Sequence, residues 1–391
     1  MKNVLIVGAG RLGKGFVGET FFNAGWHITF LDKDQQVINE LNKTKTYEVN
    51  VHTTDTVFTH TISNYDAYLI DDQESVIASF LKTDLIMLAL YPVDFEDAAK
   101  ALAAGFQRQY ELDSSAKKTL ICLTNRNHII DRITNYFRDS LVNDEVRTWF
   151  DQNVVVRDSI VRRSTDADSA YATHIETTAV SSLIIEGPVY SDFSDVKWLD
   201  VRKNVEMLKD IKVFLINGPH ATTAYYGHWR GHENIPDAEK DPEVERLVKG
   251  VHDATVQAVL YEYPVTRNEI RELEFLPAAK DEMVDSIFRV AYDPIRKTSP
   301  HDRFMGVIDI CLKYDIEYAP ITKALATAFA YVEPKDPNAV KLQKEIQTNG
   351  IRSTVSKYIG RPEEDAVVEQ VVNQYNQLQQ EAPTVVMTPG S

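Results

Sequence analysis

The segment KVFLINGPH, residues 212–220, places a lysine, an asparagine and a histidine around a short apolar run. A neutral lysine can act as a general base, and amide and imidazole N–H groups can donate hydrogen bonds to an oxygen that gains negative charge. In an ideal α-helix, Lys212 and Asn217 would lie roughly 140° apart around the axis, whereas Asn217 and His220 would share a face. We therefore expect the three side chains to converge only if the helix bends or begins near Gly218–Pro219, since proline suits a first helical position. The alternative interpretation is a solvated lysine followed by an Asn-Gly turn.

A glycine-rich turn near the start of the chain, VGAGRLGKG, has the G-x-G-x-x-G spacing of dinucleotide-binding loops. It follows an apolar run and precedes a helical pattern, so free N–H groups at the helix start could hold a pyrophosphate. The next apolar run ends at Asp32, whose carboxylate can accept hydrogen bonds from ribose hydroxyls and would repel a 2′-phosphate. We expect NAD rather than NADP, although Lys33 weakens that preference; the alternative is a structural glycine turn. The predicted cofactor-binding residues are Gly8, Ala9, Gly10, Arg11, Leu12, Gly13 and Asp32.

The first half of the chain alternates apolar runs with helical patterns, which predicts a parallel sheet covered by helices on both faces. The polar, threonine-rich stretch 49–70 suggests antiparallel strands, and AVSSLIIEG, residues 179–187, is the last strand expected in this half. We predict an α/β fold with an N-terminal Rossmann-type domain over residues 1–195. The apolar runs predicted as strands of the parallel sheet are residues 3–7, 27–32, 84–90 and 119–124.

The second half has few strand patterns and many amphipathic ones, which predicts a mostly α-helical substrate and catalytic domain over residues 196–380. Residues 381–391 carry two prolines without helical periodicity, and we expect them to form a flexible tail. The predicted helices are residues 203–212, 219–230, 242–262, 279–291, 302–313, 319–331 and 338–349.

Charge and cysteine content limit the classes of partner and compartment. The formal net charge of −16 makes the chain a poor general binder of nucleic acid or anionic membrane. Its two cysteines, Cys122 and Cys311, stand in apolar surroundings and cannot build a disulfide framework. No signal-peptide pattern or membrane-length apolar run is visible. We expect a cytoplasmic protein, a monomer or homodimer, with a small-molecule substrate.

Motifs along most of the chain resemble the polyol-specific long-chain dehydrogenase/reductase family. They are the Lys-x4-Asn-x2-His spacing and the stretches GAGRLGKGFVG, FLDKD, LTNRNH, NGPHATTAYYGHWRGHENIPDA and DPIRKTSPHDR. The resemblance implies a Rossmann domain, a helical domain and an active site between them that needs no metal. It also implies that Lys212 is the general base and that Asn217, His220 and Asn125 bind the reacting oxygen.

A substrate phosphate would require cations, and the segment DPIRKTSPHDR offers Arg296, Lys297 and Arg303. The alternative is a solvated loop paired with nearby acids. Arg296 is the principal candidate, because the family segment resembles PLRK at that position. The chain also departs from the family: Arg162 stands where an aspartate is expected, and Thr124 stands where an acidic residue usually precedes the asparagine. We count Arg162, and less strongly Arg126, among the candidate substrate ligands.

The leading functional hypothesis is NAD-dependent interconversion of a polyol phosphate and a ketose phosphate, with mannitol 1-phosphate and fructose 6-phosphate as the first candidates. Arabinitol phosphate or a sugar acid such as altronate is the nearest alternative substrate. β-Hydroxyacid dehydrogenases are disfavoured, because they carry Lys-x3-Asn, and a non-catalytic NAD-sensing module has no need of the lysine cluster. His228 and His232 have a metal-like spacing, but we expect them to be surface residues.

Overall fold

The computed structural model describes residues 1–53, 55–162, 165–166, 169, 171–178, 182–275 and 285–381. The chain forms two compact units, which meet in sequence between Lys209 and Asp210. This point lies after the boundary expected at residues 195/196, because residues 199–202 form a strand that pairs within the first unit. The second unit comprises, among the described residues, 210–275 and 285–381.

The first unit contains all thirteen strands of the described chain. Six of them form one parallel sheet in the order β5-β2-β1-β6-β7-β8. The strands are β1 (Asn3–Val7), β2 (His27–Asp32), β3 (Thr46–His52), β4 (Val57–Ser63), β5 (Asp66–Leu69), β6 (Leu85–Leu88), β7 (Lys118–Cys122), β8 (Val154–Arg157), β9 (Ser159–Val161), β10 (Thr165–Asp166), β11 (His174–Thr178), β12 (Leu183–Glu186) and β13 (Leu199–Arg202).

The parallel sheet is buried on both faces. Val4 and Ile6 of β1 belong to one apolar cluster, whereas Leu5 and Val7, which point the opposite way, belong to another. A strand in this position reads as a continuous apolar run rather than an alternating one. The fold class predicted from these runs, a Rossmann-type parallel sheet followed by a mostly helical domain, is confirmed.

Helices cover the parallel sheet and connect its strands. A π-helical segment, Gly13–Gly18, precedes the first α-helix, and a 3₁₀ segment, Pro92–Asp94, precedes the fourth. The helices of this half are α1 (Glu19–Asn23), α2 (Gln35–Thr44), α3 (Gln73–Leu81), α4 (Phe95–Leu112), α5 (Ile130–Asp139), α6 (Asp144–Asn153) and α7 (Val205–Lys212).

Two smaller sheets complete the first unit, in the orders β10-β11-β3-β4 and β13-β12-β9. The stretch 49–70, predicted as antiparallel strands, contains part of the antiparallel pair β3 and β4, but β5 joins the edge of the parallel sheet instead. The strand predicted at 179–187 is present as β12, with 179–181 outside the described residues. It is not the last strand, because β13 follows and pairs beside it in parallel.

The second unit is helical throughout its described part. A π-helical segment, Val213–Asn217, continues α7 into α8. The predicted helices are present, although 279–284 lie outside the described residues, and α9, α11, α13 and α17 were not predicted. The helices are α8 (Gly218–Trp229), α9 (Ile235–Glu239), α10 (Pro242–Glu262), α11 (Arg267–Glu274), α12 (Ile287–Ala291), α13 (Pro294–Lys297), α14 (Met305–Tyr314), α15 (Ala319–Phe329), α16 (Pro337–Ile359) and α17 (Ala366–Gln380).

Two features of the described chain bear on other expectations. Helix α16 is bent at Gly350, whose φ of 78° lies in the left-handed region. None of the described helices combines the length and the apolar character that crossing a membrane requires. The expected flexible tail lies outside the described residues, except for Glu381.

Candidate active site

A widened helical turn joins α7 to α8. The N–H of Gly218 donates to the carbonyl of Val213, five residues earlier, which is the hydrogen bond of a π-helix. Asn217 and Gly218 keep right-handed helical dihedrals, with φ of −74° and −65°. Residues 205–229 therefore form one continuous helix with a π turn in its middle.

The π turn changes which side chains share a face. Because hydrogen bonds in this turn span five residues rather than four, Lys212 and Asn217 lie closer to one side of the helix than in an ideal α-helix, and His220 follows Asn217 at the i, i+3 spacing of neighbours. An α-helix does begin at Gly218, with Pro219 in its first turn, as one of the two arrangements considered from the sequence requires, although the residues before it are already helical. Pro219 gives a physical reason for the widened turn. Proline has no N–H to donate, and its ring crowds the carbonyl of the residue four positions earlier, which here lies within the π segment.

His220 contacts an acid that was not among the residues predicted for the site. Its Nε2 lies 3.3 Å from Oδ2 of Asp285. Burial raises the pKa of Asp285, but hydrogen bonds and charge from Arg289, together with His220, lower it overall. Arg289 bonds both oxygens of Asp285. Nε2 of His220 is therefore engaged by Asp285.

The cationic segment 293–303 packs beside this helix. A Cβ added to Gly218 would lie 3.4 Å from the backbone oxygen of Arg303. Arg303 is nearly buried, and its Nε donates to Oδ1 of Asp302 at 2.8 Å. Arg296 is about half exposed and lies 3.6 Å from Asp293 and 3.9 Å from Asp302. Of these arginines, Arg296 is the one whose guanidinium is loosely held and accessible.

Lys297 has a structural environment rather than that of an exposed phosphate ligand. Its Nζ donates to the carbonyl oxygens of Val290 and Tyr292, and the residue is 5% exposed. Burial, followed by the charges of Arg303 and Arg296, lowers its pKa to about 7. We therefore assign Lys297 to the support of the segment and leave Arg296 as the principal candidate for substrate binding.

The glycine loop in the first unit has the geometry expected of a dinucleotide loop. Gly8 has a φ of 99°, and a Cβ there would lie 2.2 Å from the oxygen of Ala89. A Cβ on Gly13 would lie 1.9 Å from the oxygen of Gly8. By contrast, no described atom lies within 4 Å of the position that a Cβ on Gly10 would take. Packing thus explains Gly8 and Gly13, whereas Gly10 borders open space that a ligand could fill.

Asp32, the last residue of β2, is held against the glycine loop by hydrogen bonds. Its Oδ2 accepts from the N–H of Ala9 at 2.7 Å, and its Oδ1 accepts from the N–H of Asp34 at 2.9 Å. Arg11 is exposed and Leu12 is half-buried at the start of the helical segment. The carboxylate is therefore held at the carboxyl end of β2, where a ribose would need it.

Lys14, in the same loop, was not selected from the sequence. It is 2% exposed, and its Nζ donates to the carbonyl of Ala172 at 2.9 Å. Burial lowers its pKa to about 8, against the opposing effect of Asp32. A lysine within a glycine loop would suggest phosphate binding, but this ammonium is engaged by the protein.

The loop that carries Asn125 is attached to α7. Asn125 itself is exposed, and it is followed by Asn127, whose Nδ2 donates to the carbonyl of Glu206 at 2.8 Å. Lys209 donates to the carbonyl of Arg126 at 3.2 Å. The loop is thereby held against the helix whose last residue is Lys212.

A buried ion pair fixes the same helix to the sheet edge. Nζ of Lys209 lies 2.5 Å from Oδ1 of Asp158, and both side chains are about 5% exposed. Oδ2 of Asp158 is buried without a hydrogen-bond partner in the described part of the chain. Burial raises the pKa of Asp158, although Lys209 opposes the shift. Sequence gave no sign of this ion pair, whose members lie far apart in the chain.

The remaining candidates occupy ordinary polar environments. Nη1 of Arg162 lies 3.5 Å from the hydroxyl of Ser182, and burial, followed by the charge of Arg202, lowers the pKa of Arg162. His232 lies 3.0 Å from Asp241, and His228 packs edge-on against Tyr331. In the described residues, no three His, Cys, Asp or Glu side chains are grouped so that they could hold a metal ion.

The two glycine environments give a matched test of the loop. Gly13→Ala should destabilise the first unit by about 1–3 kcal/mol, because its Cβ would overlap a backbone oxygen. Gly10→Ala should change the unfolding free energy by less than about 0.5 kcal/mol but weaken dinucleotide binding about tenfold or more. Urea unfolding and NADH titration measure the two effects. Equal losses of stability in both variants would contradict this assignment.

The ion pair of Lys209 with Asp158 should show strong coupling. Lys209→Met leaves a buried carboxylate without its cation and should cost about 3–5 kcal/mol of unfolding free energy. Adding Asp158→Leu to that variant should recover much of the loss, because neither charge then remains buried. Urea unfolding of the two single variants and the double variant gives the coupling energy. Additive losses would show that the two residues act independently.

Comparison with known proteins agrees with this architecture. The family model described as the mannitol dehydrogenase Rossmann domain matches residues 2–186, and that of the mannitol dehydrogenase C-terminal domain matches residues 204–387. The solved ternary complex of Pseudomonas fluorescens mannitol 2-dehydrogenase with NAD and D-mannitol is similar at a TM-score of 0.69 and 15% sequence identity. That match covers 97% of this chain and 92% of the other.

D-sorbitol dehydrogenase in substrate-free form is similar at a TM-score of 0.76 and 12% identity, over 97% of this chain and 93% of the other. At such identities the two structures show a shared fold, which extends over both units. The two family models cover most of the sequence from one end to the other. The chain therefore belongs to the mannitol dehydrogenase family.

Proposed function

We propose that this protein is an NAD-dependent oxidoreductase that interconverts a polyol phosphate and a ketose phosphate, with mannitol 1-phosphate and fructose 6-phosphate as the first candidates. The observation that carries the proposal is the π turn, whose five-residue hydrogen bond suits the separation of Lys212 and Asn217 in the Lys-x4-Asn-x2-His motif. A strictly α-helical segment would align a lysine with an asparagine four residues later. The widened turn suits the five-residue separation present here and so disfavours the β-hydroxyacid class, which has Lys-x3-Asn.

The residues of the glycine loop fit a dinucleotide. The space beside Gly10, the N–H groups at the helix start and the Asp32 carboxylate match the needs of a pyrophosphate and a ribose. The similar mannitol 2-dehydrogenase structure holds NAD, which supports the same choice here. NAD, when bound, supplies the hydride acceptor for alcohol oxidation. We assign its binding to residues 8–13 and Asp32.

Lys212 is assigned the role of the proton carrier. In oxidation its neutral amine would take the proton of the substrate hydroxyl, and in reduction its ammonium would return a proton to the carbonyl oxygen. Asn217, His220 and Asn125 would donate hydrogen bonds to that oxygen as its charge develops. The proposed mechanism uses these four groups and requires no metal. Asp285 would act through His220 by fixing the orientation of the ring.

Arg296 is assigned to the substrate phosphate. Its guanidinium is half exposed and has only long contacts to Asp293 and Asp302, so it can turn to a bidentate anion. The adjoining Lys297 supports the segment through backbone carbonyls, and Arg303 adds positive charge beside Arg296. Arg162 is kept as a second candidate ligand, and its presence where relatives carry an acid leaves arabinitol phosphate or altronate as alternative substrates. A non-catalytic NAD-binding role would predict no turnover with any of them.

Lys212→Ala tests the base directly. The variant should lose about a hundredfold or more of its kcat in both directions, while NADH binding persists. In the unchanged enzyme, oxidation should rise with pH and reduction should fall, because oxidation of the alcohol releases a proton that the base must accept. A small primary amine should restore part of the variant's rate in proportion to its free-base concentration. Steady-state assays with mannitol 1-phosphate and fructose 6-phosphate measure these effects.

The matched control is Lys203→Ala, which removes an exposed lysine before α7. Asn217→Ala and His220→Ala should cost less than the lysine variant, because each removes one hydrogen-bond donor rather than the proton carrier. Near-normal turnover by Lys212→Ala would exclude the proposed base.

Arg296→Ala tests the phosphate assignment. Loss of a charge-assisted contact should lower kcat/KM for the phosphorylated substrate by a factor that corresponds to about 2–3 kcal/mol of transition-state stabilisation, with little change in NADH affinity. Arg246→Ala, in a surface ion pair on α10, is the control for charge alone. The test compares fructose 6-phosphate with fructose. An equal loss with both sugars would argue against a phosphate contact.

A further inference from the structure

Lys33, the residue after Asp32, is held by a carboxylate from another part of the first unit. Its Nζ lies 2.5 Å from Oδ1 of Asp94. The Lys33 side chain is 67% exposed, whereas that of Asp94 is 16% exposed, so the acid is the more buried of the two partners. Asp94 ends the 3₁₀ segment that links β6 to α4.

This contact spans the edge of the sheet at which the dinucleotide would lie. The N–H of Gly8 donates to the carbonyl of Leu31 at 2.8 Å, and the N–H of Ala89 donates to the carbonyl of Val7 at 2.8 Å. The glycine loop, the Asp32 corner and the start of the 89–94 segment are therefore neighbours. The lysine is thus held beside the group expected to bind the adenosine ribose.

Asp94 is unusual among the helix-capping acids of this unit. Asp34 and Asp72 stand at the N-caps of α2 and α3, and their carboxylates accept first-turn N–H groups, as capping aspartates normally do. Asp94 stands at the N-cap of α4 with right-handed helical dihedrals, and among the described residues its carboxylate accepts no first-turn N–H. The side chain is committed to Lys33 instead.

NAD and NADP differ at the 2′-position of the adenosine ribose, which carries a hydroxyl in NAD and a phosphate in NADP. A 2′-hydroxyl is neutral and suits an acceptor such as Asp32, whereas a 2′-phosphate needs a cation close to that corner. Lys33 is such a cation by sequence position. The hydrogen bond and charge of Asp94, with smaller effects of Asp97 and Asp32, raise the pKa of Lys33. The ammonium is therefore surrounded by negative charge that a 2′-phosphate would have to displace.

We propose that Asp94 determines cofactor specificity by holding Lys33 away from a 2′-phosphate. The inference rests on the proposed dinucleotide site. Two carboxylates would then select against NADP. Asp32 repels the 2′-phosphate directly, and Asp94 engages Lys33, the lysine that could otherwise offset that repulsion. Two residues at the end of β2 that would otherwise favour different cofactors thereby act in the same direction.

The test is the ratio of NADPH affinity to NADH affinity, measured by fluorescence titration of the full chain without substrate. Asp94→Asn should raise this ratio about three- to fivefold, as for one newly available exposed ion pair. The rise should shrink at high salt, because the contact is solvent-exposed. In a Lys33→Ala background, Asp94→Asn should leave the ratio unchanged.

Glu96→Gln is the matched control. It removes the same charge two residues further along, where Glu96 pairs with Lys100 at 2.9 Å, and it leaves the contact of Lys33 with Asp94 intact. An equal rise in this control, an unchanged ratio in Asp94→Asn, or a rise that persists without Lys33 would each overturn the role of Asp94. Failure of the unchanged protein to bind NADH would instead overturn the dinucleotide site itself, and this proposal with it.

Lys33→Ala alone gives an independent measurement if Asp94→Asn does not fold. Because Asp94 already engages the lysine, its removal should change the ratio by less than about twofold. A larger fall in relative NADPH affinity would mean that Lys33 serves a 2′-phosphate in the unchanged protein, and the proposal would be wrong.

Discussion

The hydrogen bond from Gly218 to Val213 is the constraint on which the candidate site depends. It widens the helical turn that lies between Lys212 and Asn217, the first two residues of the proposed catalytic motif. Packing supports this rare geometry: Phe214 and Leu215 are buried within the π segment. A Cβ on Gly306 would lie 2.6 Å from the Phe214 ring, so the first residues of α14 pack closely against the widened turn. The turn is therefore held from outside as well as by its own hydrogen bond.

The first residues of α7, which belong to the first unit, are held there by contacts of their own. The loop that carries Asn125 is bound by the carbonyl of Glu206 and the ammonium of Lys209. Asp158 in turn pairs with Lys209, and both of these side chains are almost completely buried. Removing two charges from water is costly, so this ion pair is a better source of unique geometry than of stability. It fixes the helix and the asparagine loop in one arrangement.

Local sequence patterns were sufficient for the four central strands of the parallel sheet, most helices and the glycine loop, because each follows from periodicity or spacing within a few residues; the two edge strands, β5 and β8, were not predicted. The π turn was not predictable in this way, because the expected positions of Lys212, Asn217 and His220 around the helix axis were those of an ideal α-helix with 3.6 residues per turn. Asp285, Asp94 and Asp158 were missed because their partners lie more than fifty residues away in the chain. Lys297 was overvalued because a sequence does not reveal whether an ammonium is buried.

The buried lysines explain why arginine is the residue to consider for an anionic substrate. Lys14, Lys118 and Lys297 are almost inaccessible, and each donates to backbone carbonyls; burial lowers the pKa values of the first two to about 8. A lysine whose charge weakens on burial can serve as a hydrogen-bond donor within a core, but it is a poor permanent cation. In a chain with a net charge of −16, binding of a phosphate requires charge that persists near neutral pH and can be concentrated locally. A guanidinium meets that requirement, because it stays protonated and can bond an anion through two N–H groups at once.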